Sequence, residues 1–379
     1  MNKGLIALAA GTFALGMSEF VMMGILPDVA QDLSVSIPQA GHLISSYALG
    51  VCIGALSLIV LRTLKPKLIL ELLASVMLAG ALLAVCSVNY PMLLAARFIE
   101  GLPHGAYFGV ASIVAVRLAD EGRKASAVAI MCAGMSVANL IGNPLATFLS
   151  SAVSWRLPFC VLMLVSSATI LLLARWVPSL DAVPDNGLKG QFRFLKNLDP
   201  WLIIGATMLG NGGIFCWYSY ISPLLQNQSG FSASVLPFLM VVAGLGMFTG
   251  NLAAGRLSDR YRPGTVTFCL QAIAAISLTA VFFMSGTGWL TVMLMFVLCA
   301  CLFGIGSPEQ LMIIEHAKGG EMLAGCCIQI AFNFGNAMGA FLGGLPIDAG
   351  LPYNYAALVG IPVAAAGAIL MFIFHRRCE

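Results

Sequence analysis

Apolar runs of about 20 residues follow one another along nearly the whole chain, and a run of that length is what a helix needs to cross a bilayer. Each run is closed by a Gly/Pro/Asn turn or a basic cluster. Twelve such windows lie near residues 4–27, 41–61, 68–88, 91–115, 126–149, 157–177, 200–225, 232–257, 264–285, 288–313, 321–344 and 354–375. Composition agrees, since 60% of the 379 residues are hydrophobic and 9% are charged, where a soluble domain carries about 25% charge. The first run, after Lys3, has the look of a signal peptide, but it is long enough to cross and eleven more follow, so it is expected to be a helix of the protein.

The basic residues set an orientation, because Lys and Arg in short loops are held on the cytoplasmic side. With the amino terminus inside, Lys3, Arg62, Lys65, Lys67, Arg117, Arg123, Lys124, Arg175, Lys189, Arg193, Lys196, Arg256, Arg260, Arg262, Lys318, Arg376 and Arg377 all become cytoplasmic. Only Arg97, within span four, and Arg156, in an outer loop, fall elsewhere. Both termini are then expected inside a bacterial inner membrane. The net charge of +3 follows from topology and gives no sign of a nucleic-acid partner. The 11 cysteines fall mostly within spans, show no metal-ligand spacing and are expected to be small apolar fillers, so no metal or other cofactor is expected.

The longest polar stretch, VPSLDAVPDNGLKGQFRFLKNLDP at 177–200, divides the spans six and six. The expected domains are 1–177, a linker at 178–199, and 200–379. Two internal matches support that division. LGVCIG at 49–54 resembles LGMFTG at 245–250, and GNPLATFL at 142–149 resembles GNAMGAFL at 335–342, pairing spans two with eight and five with eleven. The expected fold is an all-α integral membrane protein of twelve transmembrane helices in two pseudo-symmetric six-helix bundles, the major facilitator design, whose halves meet around a site near the midplane. Gly246, Gly250 and Gly255, and Gly335, Gly339 and Gly343, recur at the spacing that lets helix backbones approach closely.

Few ionisable residues lie within the spans. They are Glu19, Arg97, Glu100, His104 and, nearer the cytoplasmic end, Glu309. Each costs about 2.5–3.5 kcal/mol on insertion scales if charged at the bilayer centre, so each is expected to face a cavity or a partner. In RFIEGLPHGAYFG, residues 97–109, the spacing puts Arg97, Glu100, His104 and Tyr107 on one helix face, which cannot face lipid. Span one is expected to end near Pro27, placing Glu19 about 12 Å below the outer surface, and Arg97 lies about 9 Å below it at 1.5 Å per residue. Glu19 and Arg97 are therefore within reach of one another. Either Glu19 exchanges a proton during transport, or the two form a static ion pair clipping spans one and four together.

Uncharged polar residues form further stripes: Ser136, Asn139 and Asn143 on span five, Gln329, Asn333 and Asn336 on span eleven, and Asn211, Phe215 and Tyr218 on span seven. They are expected to line a substrate cavity or to hydrogen bond between helices. Trp217 and Tyr220 are expected in an outer aromatic belt.

The blocks GMSEFVMMGILPDVAQDLSVSIPQAGHLISSYALGVCIGA, RFIEGLPHGAYFGVA, GNPLATFLSSAVSWRLPF and AKGGEMLAGCCIQIAFNFGNAMGAFLGG resemble the arabinose efflux permease branch of the twelve-span drug:proton antiporters, within the major facilitator superfamily. The resemblance implies proton transfer at Arg97 and coupling at Glu19, with Glu100 beside them. It also implies an antiporter motif in span five, Gly134 through Gly142 and Pro144, although Asn143 interrupts its Gly-Pro ending. A cytoplasmic gating motif survives in GRLSDRYRP as Gly255, Asp259 and Arg260, whereas its first-half copy is replaced by IVLRTLKPK. The extra acids Glu100 and Glu309 would suit cationic or hydroxyl-rich substrates.

The resulting expectation is a monomeric, proton-coupled exporter of a sugar, drug or metabolite, with small-molecule substrate, protons and lipid as partners. A proton-coupled importer of a sugar or metabolite and a lipid flippase remain as alternatives. An enzyme is disfavoured because no nucleophile or metal-ligand motif is present.

Overall fold

The structure is a computed structural model that describes residues 2–61, 63–120, 124–182, 192–317 and 320–378. Arg62, Arg123, Lys189 and Lys318 lie outside the described residues, as do the side chains of Lys124 and Asp259. The described chain is helical. Twelve helices stand where the twelve apolar runs lie, and ten of them are long and apolar enough to cross a membrane.

The first six are α1 (Lys3–Asp32), α2 (Ile37–Ala55, continued by Ser57–Leu61), α3 (Pro66–Val85), α4 (Tyr90–Arg117), α5 and α6 (Leu157–Trp176). Helix α5 runs as Lys124–Val137, passes through a π-helical segment at Ala138–Gly142 and continues as Asn143–Ala152. The second six are α7 (Leu198–Tyr218, continued by Ile221–Asn227), α8 (Leu236–Arg260), α9 (Pro263–Met284), α10 (Gly288–Gly304, continued by Gly306–Glu315), α11 (Glu321–Asp348) and α12 (Tyr355–Cys378). Local sequence marks several of these ends. Ser36 and Gln39 form a capping box at α2, Asn89 caps α4 through Met92 N–H, and Pro opens α3, α4, α6, α8 and α9 in the first turn, where its missing N–H is not needed.

The chain forms two compact units, Met1–Phe192 with Met322–Ile330, and Arg193–Glu321 with Ala331–Glu379. In the first unit α2 packs on α4, α3 on α4 and α6, and α1 on α5 and α6. In the second, α8 packs on α10, α9 on α10 and α12, and α7 on α12. The pairing in one unit is thus repeated in the other, six helices on.

The repeated glycines show why. A Cβ at Gly50 or Gly54 would run into the Phe98 or Leu102 carbonyl of α4, and a Cβ at Gly246 or Gly250 would meet the Phe296 or Ala300 carbonyl of α10. Gly335, Gly339 and Gly343 likewise lie against the Met208, Gly212 and Cys216 carbonyls of α7. Close approach of this kind holds membrane helices together by packing, since burial of apolar surface gives no preference over lipid. Gly255 has open space around it, so it takes no part in such a seam.

Helix α1 extends five residues beyond the predicted end at Pro27. Its C-terminal end is tied to its neighbours: Asp28 accepts from Ser150, and Asp32 Oδ2 accepts from Trp155 Nε1 at 2.8 Å and Arg156 Nη1 at 2.9 Å. Arg156 also stacks on the Trp155 ring, 4.1 Å from its centroid, and donates to the Ser87 carbonyl at 3.0 Å. These bonds give the Arg156 charge a carboxylate, a ring face and a carbonyl.

Candidate functional site

The buried ionisable residues of the first unit gather on the facing sides of α1, α2 and α4. Arg97, Glu100 and His104 are fully buried and Glu19 is 2% exposed. Their spacing of three and four residues along α4 stacks the first three on one face, as the sequence indicated. Arg97 Nη1 binds Glu100 Oε2, and Ser18 Oγ, next to Glu19 on α1, donates to the same carboxylate oxygen at 3.1 Å. Arg97 Nη1 also lies 3.4 Å from Ser18 Oγ, so the serine hydroxyl sits between helices as part of the pair.

Tyr47 of α2 completes the cluster. The Arg97 guanidinium stands over its ring, 4.6 Å from the centroid, an arrangement worth about 2 kcal/mol or more when desolvated. Its hydroxyl lies 2.8 Å from His104 Nδ1. The same hydroxyl lies 3.5 Å from the Leu15 carbonyl, and His104 Nε2 faces Glu19 Oε2 at 4.0 Å. The imidazole stacks on Phe108, ring centroids 5.3 Å apart.

The expected partner of Glu19 was Arg97, and the structure corrects that. Arg97 pairs with Glu100, while neither carboxylate oxygen of Glu19 has a hydrogen-bond partner. The cause is the length of α1. Five residues past Pro27 push Glu19 about 7.5 Å deeper relative to the helix end, at about 1.5 Å per residue, and therefore level with His104, two turns inward of Arg97. Arg97 remains near enough for its charge to act on Glu19, and its own Nε and Nη2 donors are unpartnered. One buried cluster thus holds three vacant carboxylate oxygens, two on Glu19 and one on Glu100, and two guanidinium nitrogens without an acceptor.

The other predicted residues are distributed as follows. Tyr107 is buried against Gly11, with its hydroxyl 3.4 Å from the Leu8 carbonyl. Gln329 belongs to the first unit, beside His104 and Gly105. On α5, Asn143 Nδ2 donates to Asn139 Oδ1 at 2.9 Å and Asn139 Nδ2 to the Met135 carbonyl at 3.0 Å. This ladder runs alongside the π-helical segment, where an extra residue per turn frees backbone groups. Gly134 lies against Ala9 and Thr12, and Gly142 against Met17 and Phe13, with Pro144 opening the following helical segment, so this stretch of α5 abuts the helix that carries Glu19. Ser136 is buried on the same helix.

In the second unit, Asn211, Phe215 and Tyr218 are buried along α7, Phe215 meeting Tyr218 and Phe332 edge-on with centroids 6.2 and 5.3 Å apart. Asn333 and Asn336 are buried on α11. Trp217 has no exposed surface, so it does not belong to an interfacial belt, and Tyr220 hydrogen bonds the Ala340 carbonyl at 2.7 Å. Arg260 is exposed at the end of α8.

Two residues of the cluster, Tyr47 and Ser18, escaped the sequence reading. The signal for Tyr47 was present in Ser45-Ser46-Tyr47, three consecutive polar side chains inside a predicted span. Ser18 was legible only as the neighbour of Glu19.

Comparison with known proteins matches this arrangement to transporters. AraJ of Escherichia coli (strain K12) is 41% identical over 100% of this chain and 96% of its own length. A chloramphenicol resistance protein of Streptomyces lividans is 28% identical over 89% of this chain and 88% of its own. The crystal structure of the E. coli fucose:proton symporter FucP superposes with a TM-score of 0.72, covering 98% of each chain at 18% identity, which identifies the fold. The family model of the Major Facilitator Superfamily matches residues 8–325. The chain is therefore a multi-pass membrane transporter, not an enzyme, and it belongs to the Major Facilitator Superfamily.

Proposed function

We propose that the protein is a proton-coupled antiporter that exports a small molecule, such as a sugar, a drug or a metabolite, across a bacterial inner membrane by alternating access, with both termini in the cytoplasm. Glu19 is the proton carrier, Arg97 and Glu100 are its coupling partners, and Tyr47 and His104 hold the geometry between them. The observation that carries this reading is the mismatch within the cluster: Glu19 is buried with no donor on either oxygen while Arg97 has two donors unused.

Buried polar groups are nearly always hydrogen-bonded, so an unmatched acceptor beside unmatched donors marks an arrangement suited to one state of a cycle. Proton arrival at Glu19 from outside, and its release inside, changes which carboxylate Arg97 serves. The α1 helix that carries Glu19 packs on the antiporter motif of α5, so the change of partner is passed to a helix-helix seam. Substrate and proton then exchange through their different affinities for the two states. Export as the direction draws on the S. lividans relative, a chloramphenicol resistance protein.

Inside-out membrane vesicles test this. With the lumen acidified by respiration, a transported solute added outside should discharge part of the pH gradient in wild type, because solute enters as protons leave. Sugars and antibiotics are screened as solutes. Glu19→Gln and Arg97→Ala should abolish the discharge. An unchanged discharge in both variants overturns the assignment, and a solute that enters together with protons identifies an importer.

A further inference from the structure

The second unit contains a buried carboxyl group of its own, far from Arg97 in sequence and surrounded differently. Glu309, on the Gly306–Glu315 segment of α10, is fully buried. Its Oε1 accepts a hydrogen bond from Gln271 Nε2 of α9 at 3.2 Å, and the same amide donates to the Ala206 carbonyl of α7 at 3.0 Å. Its Oε2 has no partner, and neither has Gln271 Oε1. Gln271 lies against Gly210, so its amide is confined between α7 and α10.

Among the described residues no ion pair includes Glu309, in contrast to Arg97 with Glu100. From α7 it is faced by the Thr207 hydroxyl, which is shared between the carboxyl and the Ile203 carbonyl, 2.9 Å away. From α9 it is faced by Gln271. From α8, Asn251 bonds Ser307, two residues before it. None of these titrates. Cys269 of α9 is exposed. Glu315 and His316, on its own helix, are six and seven residues on, about 9–10 Å along the axis. The Glu309 N–H is used by the Ile305 carbonyl at 3.2 Å, so the helix joint supplies no donor from that residue.

An ionised carboxylate here has one amide N–H and a shared threonine hydroxyl to solvate it and no cation among the described residues, where a buried charge needs a partner and several hydrogen bonds. A protonated one gains an O–H donor, and the Gln271 carbonyl, on the very amide already bonded to it, is an acceptor lacking one. We propose that Glu309 is a second site at which a proton is bound and released, with Gln271 as its hydrogen-bonding partner, independent of the cluster around Arg97. Its place in transport rests on the proton-coupled reading above, and the site itself is tested apart from it.

The test is infrared difference spectroscopy on the full-length protein in liposomes as the pH is stepped, reading the carbonyl stretch that only protonated carboxyl groups give. Wild type should show contributions from two buried acids. Glu309→Gln should remove one and keep that of Glu19, and Glu19→Gln should do the reverse. Gln271→Leu, which keeps the carboxyl, should shift the frequency of the Glu309 band without deleting it, and it carries the test if Glu309→Gln does not fold. A Glu309→Gln spectrum identical to wild type, a Glu309 band unmoved in Gln271→Leu, or a band displaced when Na⁺ replaces K⁺ at constant pH would each overturn the proposal. Loss of the Glu19 contribution from wild type alone would count against the reading of Glu19 and leave the Glu309 band as support for this site.

Discussion

Removing one oxygen atom tests how tightly the cluster is built. Tyr47→Phe deletes the hydroxyl that lies 2.8 Å from His104 Nδ1 and keeps the ring under the Arg97 guanidinium. The variant takes this partner from Nδ1 of a fully buried imidazole, whose remaining neighbour is Gln329. A buried polar group stranded in this way costs about 1–3 kcal/mol, more than the net worth of an average hydrogen bond. The cation-π contact is retained, so the loss is that of the hydroxyl alone. Reversible denaturant unfolding in mixed micelles would measure it, with His104→Phe as the second arm of a double-mutant cycle. In the His104→Phe background no imidazole remains to be stranded, and Tyr47→Phe should then cost close to nothing, giving a coupling energy of about 1–3 kcal/mol. A loss below about 0.5 kcal/mol in the single variant, or additive effects in the pair, would refute the placement of Tyr47 as the group that holds His104.

Two further perturbations separate charge from packing. Arg97→Gln leaves Glu100 buried without its cation and should destabilise the protein by about 3–5 kcal/mol, as broken buried pairs do, whereas Arg97→Gln with Glu100→Gln should recover most of that; equal melting temperatures for the single and double variants would show that the two residues are not paired. Gly250→Val drives a side chain into the Ala300 backbone, while Gly255→Val meets open space; the first should lose about 1–3 kcal/mol or more and the second almost nothing, read as the shift in melting temperature in detergent, and equal shifts would contradict the seam.

Much of the architecture was legible because it obeys two simple periodicities. Runs of about 20 apolar residues fix helix number, and glycines repeated at corresponding places fixed the pairing of span two with eight. The structure shows those glycines at equivalent seams on α4 and α10. The α4 stripe was legible for the same reason, since Arg97, Glu100 and His104 share a face wherever the helix begins. Partner choice was not legible. It depended on how far α1 continues past Pro27, and a proline only biases a helix end. The extra turns are held by Asp28 and Asp32 through residues more than 100 positions away, Ser150, Trp155 and Arg156. Tyr47 was marked only by the polar run Ser45-Ser46-Tyr47, which has no helical period, and its role comes from the helix opposite. Trp217 was assigned to the interface from its type, and tertiary packing overrode that preference.

The Asp32–Arg156 contact also bears on the order in which the protein is made. The two residues are 124 positions apart, and helices of a growing chain emerge amino terminus first. When α1 enters the membrane Asp32 lacks its partner Arg156, which is not available until the chain has been synthesised to the start of α6. The bond therefore closes only after five helices are in place and the sixth has begun, which makes it a late step in the assembly of the first unit. A non-local contact of this span is expensive to close early, because the loop between its ends is long. Until Arg156 arrives, the last turns of α1 lack the bonds to Trp155 and Arg156, and Glu19 is carried by a helix whose C-terminal end is not yet secured.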